Sequence, residues 1–200
     1  MAYPIDVQVE YRDGTRSRGY AVLGIIFLKS ILLIPHLIAL WVVNLIAAVA
    51  AWIGYWAILF TGRQPEGISS FLSGSMRWYT RSVAWIVSTY DEYPEFGFDD
   101  GSSGSQTRID TDSEDRNRLL AALGIIFFLK ALVLLPHLIV VAFLQIAATI
   151  AAWIGYWAIA FTGELPLGIH EFLVGVLRWQ ARATAWLYSL TDEYPPFSMD

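Results

Sequence analysis

The polar residues within the two long apolar stretches of this chain are few, and they occur at matching positions. They are Lys29, His36 and Asn44 in the first stretch, and Lys130, His137 and Gln145 in the second. Ionisable side chains are costly inside a bilayer, so this set is a candidate polar cluster for an ion, a proton or a lipid headgroup. The structural alternative is that each histidine caps a turn, while each lysine extends its ammonium group to the membrane surface.

Each of these stretches is long enough to cross a bilayer twice. Lys29 is the only charged residue between Gly19 and Phe60, and Lys130 is the only one between Leu119 and Phe161. About 20 apolar residues are enough to cross the hydrocarbon core. The sequence, which is 56% hydrophobic and 16% charged, therefore predicts an all-α integral membrane protein.

Several kinds of function lack a signature in this sequence. There is no phosphate-binding glycine loop, no HExxH zinc motif and no G-x-S-x-G elbow, so neither an enzyme nor a cofactor is predicted. The chain contains no cysteine, which excludes disulfides and thiolate metal sites. Its net charge of −5 is not the basic footprint that nucleic acid requires.

The chain is an internal duplication. The nonapeptide AAWIGYWAI runs from Ala50 to Ile58 and recurs unchanged from Ala151 to Ile159, and both copies close on DEYP with a phenylalanine two residues after the proline. These matches predict a polar N-terminal segment, two membrane repeats and a flexible Gly/Ser/Asp-rich linker without a counterpart. The boundaries are 1–17 for the N-terminal segment, 18–96 and 118–200 for the repeats, and 97–117 for the linker.

Proline divides each apolar stretch. Pro35 disfavours helix at the residue before it and donates no backbone hydrogen bond, so the first stretch should form helices over 19–34 and 36–60. The two helices would make a hairpin, and the second copy would repeat it. The expected fold is therefore two tandem helical hairpins, which together give four transmembrane helices.

Small residues recur four apart near the end of the longer helix of each copy. They form a candidate packing seam, because small residues allow helix backbones to approach closely in lipid. Small residues are also simply common in membrane helices, which is the alternative. The seam consists of Ala47, Ala50, Ala51 and Gly54, and of Ala148, Ala151, Ala152 and Gly155.

A third, amphipathic helix is predicted in each copy, over 68–89 and 169–190. Its arginine and tryptophan stripes are typical of a helix that lies in the headgroup layer, and a third crossing is the alternative. The candidate lipid-binding residues are Arg77, Trp78, Arg81 and Trp85, and Arg178, Trp179, Arg182 and Trp186. Two crossings per copy keep these matched arginines on one side, whereas three would invert the second copy, and the positive-inside rule makes that side cytoplasmic, together with both termini. A lone His170 is expected at the surface.

Two acids follow each third helix, at Asp91-Glu92 and Asp192-Glu193. Acids at a helix C-terminus oppose the helix dipole, so a positive partner is expected. We expect a salt-bridge latch between the third helix and the base of the hairpin, with Arg63, Arg18 or the third-helix arginines as partners.

The ordered set PHLI, FTG, P-x-G, FL-x-G-x-x-RW-x-x-R and DEYPPF resembles a prokaryotic membrane-protein family known as domain of unknown function 4389. The resemblance covers nearly the whole chain except the linker and the first 15 or so residues. The first copy departs from it at Glu95, which replaces the second proline of DEYPPF, and in the serine-rich FLSGSMRW. The resemblance implies a bacterial or archaeal integral membrane protein and brings no established activity.

The sequence is best explained by a non-enzymatic scaffold or accessory subunit in the cytoplasmic membrane of a prokaryote. Its partners would be the lipid bilayer and either another membrane protein or a second copy of itself. The alternative is a small transporter or a lipid-handling protein that uses the duplicated Lys/His/Asn-Gln cluster.

Overall fold

The computed structural model describes residues 3–11, 16–99, 105–109 and 115–200, and this part of the chain is mostly helical. Each copy contributes one strand, two short helices, one long apolar helix and one helix of 21 residues. The elements are β1 (Ile5–Val9), α1 (Arg18–Ile25), α2 (Leu28–Leu32), α3 (Ile34–Thr61), α4 (Glu66–Ile86), β2 (Ser105–Ile109), α5 (Arg118–Ile125), α6 (Phe127–Val133), α7 (Leu135–Thr162) and α8 (Leu167–Leu187).

Proline and glycine set the ends of the long helices. Pro35 lies in the first turn of α3, where its missing N–H is not needed, and Gly62 ends the helix with φ 79°, a left-handed conformation that suits glycine. Gly163 ends α7 in the same way, with φ 85°. In the described part of the chain, α3 and α7 are the two helices long and apolar enough to cross a membrane.

The arm before each proline differs from the expected single helix over 19–34. It consists of α1 and α2, which are separated at Phe27, a residue with φ 61°. The second copy is likewise divided into α5 and α6. Eight helical residues extend only about 12 Å, so α1 and α5 are too short to cross a bilayer. Hydrophobicity alone could not reveal this break, because the whole arm is apolar.

The third helix of each copy runs back along the long helix. Trp78 in α4 contacts His36 at the start of α3, while Gln64, just before α4, lies against Gly54 near the other end. The second copy repeats this arrangement. The bounds 66–86 and 167–187 lie close to those expected from the sequence, each about two residues earlier.

The small residues of the expected seam pack within their own copy. Ala47 and Ala51 are buried with Leu72 and Met76 of α4. A Cβ atom added to Gly54 would lie 2.9 Å from the Gln64 side chain. The α7 residues Ala148 and Ala152 pack in the same way on α8. The seam therefore joins the long helix to the third helix of the same copy.

The two copies are instead joined by exchanged elements. Helix α1 packs on α7 of the other copy, and α5 packs on α3. The backbone repeats this exchange, because Arg16 N–H donates to Gly163 O (2.6 Å) and Arg116 N–H donates to Gly62 O (2.7 Å). Tyr156 reaches Ile86 O at the end of α4, so the turn after α7 lies near the end of α4 that is distant from Gly62. The turns that contain the two FTG motifs, at residues 60–62 and 161–163, are thus at opposite ends of the molecule; we call them the FTG turns.

Part of the expected linker is ordered. Strand β2 lies within residues 97–117 and pairs antiparallel with β1, from Ile5 opposite Ile109 to Val9 opposite Ser105. Strand β1 packs on α8 and β2 on α4, so the strands are exchanged between copies as well. The two strands share almost no sequence, which is why the duplication did not extend to them in the sequence comparison.

Candidate functional site

Lys29, a residue of α2, is completely buried and lies against the C-terminus of α4. Its ammonium group donates to Trp85 O (2.5 Å) and to Ser88 Oγ (2.6 Å). It also lies 4.5 Å from the Trp85 ring centre and 5.5 Å from that of Tyr156 in the other copy. A cation in this position is favoured by the helix dipole and by the electron-rich ring faces.

Lys130 has an equivalent environment at the end of α8. Its Nζ donates to Ser189 Oγ (2.6 Å) and lies 5.0 Å from the Tyr55 ring centre and 4.8 Å from that of Trp186. Because the tyrosine comes from the other copy in each case, each lysine sits where the two copies meet. These lysines are buried inward, which differs from the alternative of lysines extended to the membrane surface.

The two tyrosines of the repeated nonapeptide hold this junction together. Tyr156 donates to Ile86 O, and its ring lies directly over Gly24. Tyr55 donates to Leu187 O, and its ring covers Gly124. The nonapeptide thus provides, beyond its small residues, a tyrosine that caps the third helix of the other copy. Tyr55 is fully buried at this junction.

Each histidine lies in an aromatic cage closed by the C-terminal segment of its copy. Trp78 Nε1 donates to His36 Nδ1 (2.9 Å), Phe96 stacks on the imidazole at 3.8 Å, and Tyr93 meets it edge-on at 5.0 Å. The same geometry surrounds His137. Since Nδ1 accepts a hydrogen bond, the network assigns the neutral tautomer with its proton on Nε2.

Gln145 and Asn44 lie near the boundary between α4 and α8. Gln145 Nε2 donates to Gln180 Oε1 (2.6 Å), and Gln180 Nε2 donates to Tyr79 Oη (3.0 Å). Asn44 lines a small cavity with Tyr79 and Gln180. The structure therefore distributes the six residues of the expected polar cluster over separate places: the ends of the third helices, the aromatic cages and this central region.

The arginines and tryptophans of the third helices point inward. Arg81 donates to Gly97 O (2.8 Å) and Asp99 O, and Arg182 donates to Ile5 O (3.2 Å) and Asp200 O, so these residues hold the backbone of a tail or strand. The tryptophans, at most 7% exposed, are Trp78, Trp85, Trp179 and Trp186. Arg77 is half-buried. This placement differs from a stripe that lies against lipid headgroups.

Arg178 anchors the N-terminal strand. Its guanidinium donates to Asp6 Oδ1 (2.6 Å), Val7 O (3.0 Å) and Met199 O (2.7 Å). Burial raises the pKa of Asp6, but the hydrogen bond from Gln8 and the charge of Arg178 outweigh it and lower that pKa below its usual value.

His170 is buried, although the sequence suggested a surface position. Its Nε2 lies 3.0 Å from Val9 O, and its ring meets that of Tyr11 edge-on. Burial lowers the pKa of this imidazole. No pattern in the sequence indicated this contact, because strand β1 was not predicted.

The acids after each third helix act as caps. Asp91 Oδ2 accepts from Ser17 N–H (2.7 Å), and Asp192 Oδ2 accepts from Asn117 N–H (2.6 Å), at the starts of α1 and α5. An acid here complements the positive end of the helix. A latch to the base of the hairpin therefore exists, but it is made to backbone N–H groups. Arg63, one expected partner, instead pairs with Asp115 (3.1 Å).

Tyr93 and Trp85 make further hydrogen bonds near the same junction. Tyr93 donates to Leu32 O (2.8 Å) at the end of α2, and Trp85 Nε1 donates to Asp91 O (3.1 Å).

Among residues 3–11, 16–99, 105–109 and 115–200, no three His, Asp or Glu side chains are grouped so that they could hold a metal ion.

These contacts connect the motif residues that the two copies share, and the comparison with protein families uses the same segments. The model of the family described as Domain of unknown function (DUF4389) matches residues 25–97 and 125–199, once per copy and together more than half of the chain. The chain belongs to this family.

Each DUF4389 match ends within the segment that closes the histidine cage, and neither includes β1 or β2. No curated protein and no solved structure matches the chain. In both copies the DUF4389 residues Lys, His, Trp and Asp make contacts inside the fold, as described above.

Proposed function

We propose that this protein is a non-enzymatic membrane scaffold or accessory subunit. One observation supports this proposal most directly: the charged and polar motif residues of both copies are occupied by internal contacts, while the outer sides of α3 and α7 are apolar and exposed. Trp41 and Phe143, for example, are 71% and 70% exposed. The described residues therefore present a large apolar surface to their surroundings.

The proposed location is the cytoplasmic membrane of a prokaryote, with the polar segments and both termini on the cytoplasmic side. The proposal replaces the four crossings expected from the sequence, because α1–α2 and α5–α6 are too short and too broken to serve as spans. The matched arginines, which suggested two crossings per copy, also lie on one side of the membrane if neither copy crosses it.

Co-purification tests the scaffold proposal. The tagged protein is extracted from its native membrane in a mild detergent, and everything that accompanies it is identified by mass spectrometry. A stoichiometric protein partner supports the role of accessory subunit. Trp41→Ala and Phe143→Ala change only exposed positions, so they should weaken that partnership without lowering the melting temperature. A lone species, with no partner under any extraction condition, contradicts this proposal.

A cleft beside Lys29 supports a second candidate, a lipid-handling protein. The cleft holds about 360 Å³ and lies between α1–α2 and α7, with Phe27 and Trp153 at its exposed rim. An anionic amphiphile would place its head toward the ammonium group and its chain along the apolar wall.

Lipid analysis of the purified protein tests this second candidate. Ile150 lines the cleft and is 56% exposed, so Ile150→Trp should block the cleft while leaving the contacts of Lys29 intact. Loss of a co-purifying lipid from this variant, but not from an Ile53→Trp control on the outer side of α3, would support the lipid-handling role. An equal lipid content in both variants would contradict it.

A further inference from the structure

The two opposite sides of helix α8 pack against different elements, and this arrangement divides the molecule into layers. Arg178 and Arg182 contact β1, and so does His170, which lies about two turns before Arg178 on the same side. Leu173 and Val176 pack on α7. At 3.6 residues per turn, the two sets point in opposite directions from the helix axis. The strands therefore lie on one side of α4 and α8, and the long helices α3 and α7 lie on the other.

The outer side of the long helices is apolar over about half of their circumference. The buried stripe of α3, which includes Ala47 and Ala51, faces α4, and the exposed residues face away from it. The most informative positions are equivalent in the two copies: Ile38, Leu45 and Ile53 in α3, and Ile139, Ile146 and Ile154 in α7, each between 50% and 64% exposed. This apolar side is therefore directed away from the strands.

The strand side is polar. Gln8 and Arg108 are exposed on the paired strands. The Asp6–Arg178 ion pair is partly open to solvent, with side chains 30% and 20% exposed. Residues 3–11, 16–99, 105–109 and 115–200 thus form one apolar side and one polar side, whereas a protein whose helices cross a bilayer is surrounded by an apolar belt.

A perpendicular orientation conflicts with this distribution. Arg178 lies near the middle of α8, and α8 runs along α7. If α7 crossed the membrane, the Asp6–Arg178 pair and the outer side of the strands would lie at mid-bilayer depth, against lipid. Charged side chains and open strand edges are both disfavoured there.

We propose that the protein lies within one leaflet, with α3 and α7 parallel to the membrane plane and the strands in the cytoplasmic water layer. The inference rests on the membrane association proposed above and specifies its geometry. The occupant of the apolar side is lipid, because that side covers two helices of 28 residues, each about 42 Å long, and is far more extensive than an ordinary exposed patch. Amphipathic helices in this position enter about 5–10 Å into the boundary between headgroups and acyl chains.

Depth measurement with spin labels tests this geometry. Because the chain has no cysteine, single cysteines at Ile38, Leu45 and Ile53 can be labelled selectively in the otherwise unchanged chain. The protein is reconstituted in vesicles of phosphatidylcholine with one quarter phosphatidylglycerol, and depth is read from collision with oxygen against a water-soluble nickel complex. The labels span about 22 Å along the helix. We expect equal depths within about 3 Å, and the same at the equivalent α7 positions. A crossing helix whose midpoint lies at the bilayer centre would instead place Leu45 about 10 Å deeper than Ile38 and about 5 Å deeper than Ile53.

The two FTG turns provide a second, independent readout. They lie at opposite ends of the molecule, so crossing helices would put them on opposite sides of the membrane. Arg63→Cys and Glu164→Cys are at equivalent exposed positions. In sealed vesicles, a membrane-impermeant maleimide should label both cysteines to the same extent in the same orientation. Labelling of one from outside and of the other only after permeabilisation overturns the in-plane geometry.

The outcomes separate this inference from the function on which it rests. One outcome is that the protein fails to float with the vesicles while its labels are shielded from both reagents, as they would be in a soluble oligomer. That result overturns the membrane proposal itself. A protein that floats but shows the depth profile of a crossing helix overturns only the orientation.

Discussion

A single methyl group at Gly24 should disrupt the junction between the two copies. A Cβ atom there would lie 2.7 Å from the Tyr156 ring, closer than side-chain carbons approach in folded proteins. The ring cannot move aside easily, because its hydroxyl donates to Ile86 O and its side chain is only 8% exposed. Gly124 stands in the same relation to Tyr55.

The expected magnitude is a balance of two effects. Overpacking in a well-packed core costs about 1–3 kcal/mol. Replacing glycine by alanine in a helix stabilises the folded state by about 0.5–1 kcal/mol. Gly24→Ala should therefore destabilise the protein by about 1–2 kcal/mol, which in a chain of this length lowers Tm by about 2–8 °C. Gly124→Ala should behave alike, and the double variant should show roughly the sum.

The chain offers a matched control for this prediction. Gly67 and Gly168 are the second residues of α4 and α8, and a Cβ atom at either position would meet nothing within 4 Å. Alanine there should leave Tm unchanged or raise it slightly. All four variants are compared by thermal unfolding of the purified protein in one detergent, followed by intrinsic tryptophan fluorescence. If Gly24→Ala melts at or above the temperature of Gly67→Ala, the exchanged packing of α1 on α7 is wrong.

Three further predictions concern the internal contacts. Asp91→Ala removes the acceptor at the first turn of α1 and should cost about 1 kcal/mol in a detergent melt, whereas an unchanged Tm would contradict the cap. The pKa of Asp6 is lowered in the folded protein, so its stabilising effect is present above about pH 4 and is lost as pH falls through the folded value. Limited proteolysis of the N-terminal strand should therefore accelerate in acid, and Asp6→Asn should show that faster cleavage at neutral pH; an equal rate in both proteins would refute the role of the Arg178 pair. Trp78→Phe removes the indole donor to the imidazole and should cost about 1 kcal/mol, while Trp41→Phe at an exposed site serves as the control and should cost nothing measurable; equal melting of the two would argue against the cage.

The sequence predicted the helices whose ends carry a strong local signal. Pro35 and Gly62 bracket α3, because one lacks a backbone donor and the other accepts a left-handed backbone. The third helices followed from their amphipathic spacing and began within about two residues of the expected positions. The duplicated family motifs predicted the membership that the family comparison confirmed.

What the sequence could not predict depends on contacts between distant segments. The break at Phe27 lies inside an uninterrupted apolar run, so hydrophobicity carries no trace of it. The partner of Arg178 is a strand about 170 residues away, and the strand itself is only five residues long. Periodicity shows that arginines share one side of a helix, but it does not distinguish a lipid phosphate from a peptide carbonyl as the acceptor.

The exchange of α1 and α5 between the copies has a consequence for the order in which the molecule is made. Helix α1 leaves the ribosome early, but its packing partner α7 ends only at Thr162, so the first copy remains incomplete until most of the second has been synthesised. Such long sequence separations slow folding, since the intervening loop must close before the contact forms. A chain that carried one copy alone would make the same contacts only with a second chain, and its folding would then depend on its concentration in the membrane.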